Sequence, residues 1–210
     1  MVKRKIFIVL ILLIIILNLF NIKAFGKTNH FKAFITHETH YDNSSLPSQT
    51  IRRMVNIMEA LEYVNYTGTG MYSVTDRKAD ILSYINMSGQ NYGFAIVSHA
   101  DQNGTILVNG TETIVPSEIT GYWHLVLCNA CSSFNTDAYA RAFKTVGYSH
   151  RASIGFSQPV SYFTADQFWS YVNKVICSTT LRNVVDYAVE YTEAPAVLYG
   201  DGSWNGYAWN

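Results

Sequence analysis

The chain has 210 residues, with 15 basic and 15 acidic side chains and 14% aromatic residues. That composition excludes a disordered tail and fits one packed domain with a sizeable core. Removing residues 1–24 takes away Lys3, Arg4, Lys5 and Lys23 and no acid, so 11 basic residues face 15 acidic ones, a formal charge of −4 that leaves no electrostatic footprint for nucleic acid.

Met-Val-Lys-Arg-Lys at the start is basic, Ile6 to Leu17 is an unbroken apolar run, and small residues follow at Ala24 and Gly26. Residues 1–26 read as a secretory signal peptide. The other reading is an uncleaved anchor that tethers the chain to a membrane through residues 6–22, because about 17–20 apolar residues span a bilayer. Both readings export the remainder, residues 27–210, as one α/β domain.

Phe31 to Thr36 alternates as a first strand. Ser48 to Asn65 is expected to be a helix, with Ile51, Met54, Val55, Met58, Leu61 and Val64 on one stripe. Met71 to Val74 reads as a short strand and Asp76 to Ile85 as a second helix. Tyr92-Gly-Phe-Ala-Ile-Val-Ser-His99 is an apolar run ending in an imidazole. Gly104 to Val115 reads as a β-hairpin turning at Asn109-Gly110. Pro116 to Thr120 is a short helical turn.

Trp123-His-Leu-Val-Leu-Cys-Asn-Ala-Cys131 is the second such run, and it ends in a thiol. Long apolar runs of this kind are strands buried on both faces of a parallel sheet. A helix is expected over Thr136 to Val146, stopping at Gly147. Ala152 to Phe156 is a strand, Phe163–Cys177 and Leu181–Thr192 are helices, and Ala196 to Tyr199 is a last strand. Strands alternating with helices give the fold class: α/β, a three-layer sandwich whose mostly parallel six-stranded sheet carries helices on both faces.

Three cysteines is an odd number for an exported chain, so at least one thiol is free or pairs with another molecule. Cys177 sits in an apolar helical pattern and is expected in the core. Cys128 and Cys131 form a Cys-x-x-Cys, but both fall at one strand end, where the sulfurs are poorly placed for a bridge. His37-Glu-Thr-His40 lacks the spacer of the zinc motif His-Glu-x-x-His. Asp101-Gln-Asn-Gly104 reads as a turn rather than a calcium loop. There is no Gly-x-Ser-x-Gly elbow and no Walker-type loop.

In this order of elements the chain resembles the caspase-like (caspase–haemoglobinase) cysteine peptidases, over roughly residues 30–200. The pattern is nearest to the CHAT-domain, gingipain and clostripain types. The matching parts are His99 at a strand end, the 104–115 hairpin, the short helical turn, Ala130-Cys131-Ser132-Ser133, and later Ala-Ser-Ile-Gly-Phe156 and Val-Leu-Tyr-Gly-Asp201. The family usually has Gly after the histidine, where this chain has Ala100.

The resemblance implies a peptidase acting on a peptide or protein substrate, with Cys131 as nucleophile, His99 as base and acid, and backbone N–H groups of Ala100 and Cys131 as oxyanion donors. A position at a helix N-terminus is expected to favour the Cys131 anion. Glu38, His40 and Asp42, after the first strand, and Ser157, after the fifth, are placed as substrate-pocket residues. No cofactor or metal is implied. Two other readings stand beside this one: a caspase-fold binding module without activity, and a secreted thiol–disulfide oxidoreductase using Cys128 and Cys131.

Overall fold

A computed structural model describes residues 31–36, 45–63, 72–87, 91–101 and 103–207. Residues 1–26, with the signal or anchor reading, and the candidates Glu38, His40 and Asp42 lie outside the described residues.

The chain runs β1 (Phe31–Thr36), α1 (Leu46–Ala60), β2 (Ser73–Thr75), α2 (Lys78–Ile85), β3 (Asn91–Val97), β4 (Ile106–Leu107), β5 (Thr113–Ile114), β6 (Trp123–Asn129), α3 (Ala138–Ala142), β7 (Ala152–Phe156), α4 (Tyr162–Val175), α5 (Leu181–Thr192) and β8 (Ala196–Gly200). Six strands form one sheet in the order β2-β1-β3-β6-β7-β8. Every neighbouring pair is parallel except β7–β8.

From β1 the chain winds to β2 on one side, then returns past β1 and moves outward through β3, β6 and β7. Because parallel crossovers are right-handed, reversing the direction of winding sends the connections to opposite faces. The sheet therefore has a core on each side. Ile35, Val97, Leu125, Leu127 and Ile154 pack with α1, α4 and α5. Phe34, Phe94, Ile96, Val126 and Cys128 pack with α2, α3 and the β4–β5 hairpin. Residues 125 to 128 alternate between the two cores, as a strand's two-residue period requires.

The stripe expected on α1 is buried: Ile51, Met54, Val55 and Met58 all face the first core. Helices α4 and α5 start where Ser161 and Thr180 accept from the N–H groups of Thr164 and Asn183, the usual N-cap arrangement. The β4–β5 pair is antiparallel, with Ile106 opposite Ile114.

The hairpin turn differs from the Asn-Gly expectation. Asn109 and Gly110 have no positive φ, so no type I′ turn forms. Instead the Asn109 Oδ1 accepts from the N–H groups of Thr111 and Glu112, closing a wider loop. The helix expected over Thr136 to Val146 shrinks to Ala138–Ala142, with Lys144 already left-handed at φ 57°.

Candidate active site

The pairing of β3 with β6 holds a constant offset: Asn91 opposes Trp123, Gly93 opposes Leu125 and Val97 opposes Asn129. His99 and Cys131 each stand two residues beyond the last of these pairs. Equal overhangs on adjacent parallel strands, which lie roughly 4.8 Å apart, bring the imidazole and the thiol to one carboxyl edge. That edge, beside the point where the winding reverses, is where open α/β sheets bind ligands. Both residues line one cavity of about 310 Å³, with Ser98, Asn129, Val160, Tyr162 and Ala165.

His99 is held by its neighbours' main chain. The Ser98 N–H donates to the Asn129 carbonyl at 3.0 Å, which continues the β3–β6 ladder past Val97. The Ser98 hydroxyl donates to the Leu107 carbonyl and accepts from the Thr36 hydroxyl. Leu107 N–H donates to the His99 carbonyl at 3.0 Å, and Asp101 N–H to the Thr105 carbonyl at 3.0 Å. Ala100 thus forms an antiparallel bridge with Ile106. Its φ is negative, so this backbone makes no demand for glycine at position 100.

Cys131 does not sit at a helix N-terminus. Residues 131–134 form turns, and α3 begins only at Ala138. The macrodipole expected to favour the anion is therefore absent at the sulfur, since its influence falls off within one turn. The turn is instead fixed by packing. The Phe134 N–H donates to Phe156 O, and its fully buried ring lies over Gly155, where a Cβ would come within 2.4 Å of it. Ser132 takes a left-handed φ of 55° and donates its N–H to Gln158 O at 3.2 Å. The Cys131 sulfur is 3.4 Å from both the N–H nitrogen and the carbonyl oxygen of Val160.

Cys128 belongs to a different environment. It is fully buried on the opposite core, 3.4 Å from the Ser133 hydroxyl. Desolvation pushes its thiol up to about 12, so it carries almost no thiolate at neutral pH. Cys177, expected in the core, is exposed instead. Helix α4 ends at Val175, and the chain has turned away from the apolar stripe before position 177.

Ser157 donates its N–H and its hydroxyl to Pro195 O, at 2.9 and 3.0 Å, and does not line the cavity. Asp101 Oδ1 accepts from the N–H groups of Asn103 and Thr105, which is the turn the sequence indicated. Among the described residues the Ala100 and Cys131 amides donate to no backbone carbonyl. Also among the described residues, no three His, Cys, Asp or Glu side chains gather as a metal site.

Neither protein-family models nor curated protein sequences match this chain. The site rests on its own geometry.

That geometry adds residues the sequence reading missed. Val160 belongs to the segment joining β7 to α4, and Tyr162 is the first residue of α4. The Tyr162 hydroxyl lies 2.8 Å from His99 Nε2 and 3.4 Å from Nδ1. Asn129, just before the thiol loop, accepts from Trp169 Nε1 at 2.8 Å and so ties the cavity floor to α4. The available signal was topological: a connection leaving the carboxyl end of a strand parallel to β6 must start at the same edge as Cys131.

Proposed function

We propose that the chain is an exported cysteine endopeptidase of caspase-like fold, using Cys131 and His99. The observation that carries the reading is the equal two-residue overhang of these residues beyond the Val97–Asn129 pair, with both side chains on one cavity. The Cys131 sulfur attacks the scissile carbonyl carbon while its proton passes to His99. The C–N bond then breaks, and the imidazolium returns that proton to the departing amine. Water, deprotonated by His99, attacks the thioester, and the acid leaves as the thiol is restored. The Ala100 and Cys131 amides, which donate to no backbone carbonyl among the described residues, suit an oxyanion developing between them.

The buried position of Cys128 argues against a disulfide exchange pair. Its sulfur and that of Cys131 occupy separate environments, and a resolving thiol at about 12 attacks slowly at neutral pH. A caspase-fold binding module is the remaining alternative.

The test is labelling of the full chain with an electrophilic peptide probe, beside Cys131→Ala, Cys128→Ala and His99→Ala. The peptidase reading expects modification at Cys131 that survives Cys128→Ala. It also expects His99→Ala to slow the reaction by about 10²–10⁴, the usual weight of general acid–base catalysis. Labelling no faster than a free thiol and indifferent to His99 would assign the fold to binding alone.

A further inference from the structure

One three-residue segment engages both reactive groups. Val160 presents its N–H and carbonyl to the Cys131 sulfur, each at 3.4 Å. Two residues on, the Tyr162 hydroxyl stands against His99. Among the described residues the sulfur makes no hydrogen bond to His99.

The approach of Tyr162 is informative. A hydroxyl on the axis of one imidazole nitrogen stands far from the other. Distances of 2.8 and 3.4 Å to the two nitrogens place this one over the ring, nearer Nε2, and not on the axis of either nitrogen. The ring contact is edge-on, with centroids 5.7 Å apart. The hydroxyl therefore stands directly against the imidazole, at the cavity that both residues line with Cys131.

Val160 completes the picture, because the groups it offers the sulfur are a peptide N–H and a peptide carbonyl, the same groups a substrate brings. The segment is anchored outside the cavity. Ser157 is fixed to Pro195, Gln158 O accepts from Ser132 N–H, and Ser161 caps α4. Residues 159 and 160 span the gap between the Gln158 and Ser161 anchors, and Tyr162 opens α4 directly after it.

We propose that Val160–Tyr162 is a built-in cover on the Cys131–His99 pair, displaced when an extended peptide main chain takes Val160's place at the sulfur. This rests on the peptidase reading of that pair. The covered state is the resting state. Entry of substrate exchanges Val160's main-chain contacts for the substrate's own, and withdrawal of the Tyr162 hydroxyl removes its contact from the imidazole as the thiol engages it.

Tyr162→Phe removes the hydroxyl and keeps the ring, and a melting curve on the full chain checks that the fold is retained. With iodoacetamide, too small to need the substrate cleft, Cys131 in Tyr162→Phe should react about fivefold faster than in the native chain, the weight of one hydrogen bond. His99→Ala in the Tyr162→Phe background should abolish that gain. The two ideas fail separately. If His99→Ala slows Cys131 in both backgrounds but Tyr162→Phe is no faster, or is slower, the cover is wrong and the dyad stands. If Cys131 is indifferent to His99 in both backgrounds, the dyad is wrong and the cover goes with it.

Discussion

Gly104 and Ser132 meet back to back across the site: a Cβ placed on Gly104 would lie 2.1 Å from the Ser132 carbonyl oxygen. Gly104 follows His99 and Ser132 follows Cys131, so this contact sets how closely the two loops approach. Gly104 also has φ +79°, a region that L side chains enter at a cost. Gly104→Ala should therefore lower stability by about 2–4 kcal/mol, combining backbone strain with a clash that only loop movement relieves. Denaturant unfolding measures the first effect. A loss of Cys131 labelling beyond that of an equally destabilised core variant measures the second. A neutral Gly104→Ala would mean that the loops are not in contact.

The two cysteines of the Cys-x-x-Cys should separate by assay. Cys128→Ala empties space in a closed core and should cost about 1–2 kcal/mol, while Cys131 labelling is retained. Cys131→Ala changes a half-buried group beside a cavity and should leave the unfolding midpoint nearly unmoved, while labelling is lost. Mapping the alkylated residue by mass in the native chain at neutral pH should find Cys128 unmodified, because burial holds its thiol up at about 12. Equal modification of both would contradict the closed core around Cys128.

A pH dependence follows from His124 on β6. Burial, then the nearby charges of Arg151 and His150, lower its pKa from 6.5 to about 4. The unfolded chain then binds a proton at a pH where the folded chain does not, so stability falls as pH drops from 6.5 towards 4 and is fully present above 6.5. The gap would be worth about 3 kcal/mol for a dry group, and solvent screening of a half-buried ring reduces this to about 1–2 kcal/mol. His124→Gln should flatten that part of the stability–pH curve. If the native and variant curves run parallel between pH 6.5 and 4, His124 is not the group responsible.

The legible parts of the chain were those where one physical rule acts alone. Ala152–Phe156 and Leu181–Thr192 have the predicted boundaries, because a doubly buried strand and a capped amphipathic helix each announce both ends. The spacing between His99 and Cys131 was legible too, since parallel register turns an equal offset in sequence into adjacency. Where tertiary packing overrode local pattern, the reading slipped. Residues after Cys131 carry helical composition, but the burial of Phe134 over Gly155 holds them in turns until Ala138. Cys177 continues an apolar period whose last buried residue is Ile176, one position after α4 ends at Val175. Val160 and Tyr162 carry no local signature, and only their place at the carboxyl edge brings them to the site.

Asp166 shows how α4 is fixed with Tyr162 at its first turn. It lies four residues further along the same helix and is buried, accepting from Arg53 Nε and Nη2 at 2.7 and 3.0 Å and from the Thr50 hydroxyl at 3.3 Å. Arg53 Nη1 donates to Ser170 at 3.0 Å, so one guanidinium clamps α1 to two turns of α4. Removing one partner of a fully buried pair costs about 3–5 kcal/mol. The Arg53 side chain is 30% exposed, which lets water reach an orphaned charge and brings the expected cost of Asp166→Ala or Arg53→Met to about 2 kcal/mol. The double variant Arg53→Met/Asp166→Ala should lose less than the sum of the singles, with a coupling of about 1–2 kcal/mol by double-mutant cycle. Strict additivity would mean the pair contributes nothing as a pair. In that case the seating of α4, and of Tyr162 with it, would depend on the apolar core beneath Phe168 and Trp169 alone.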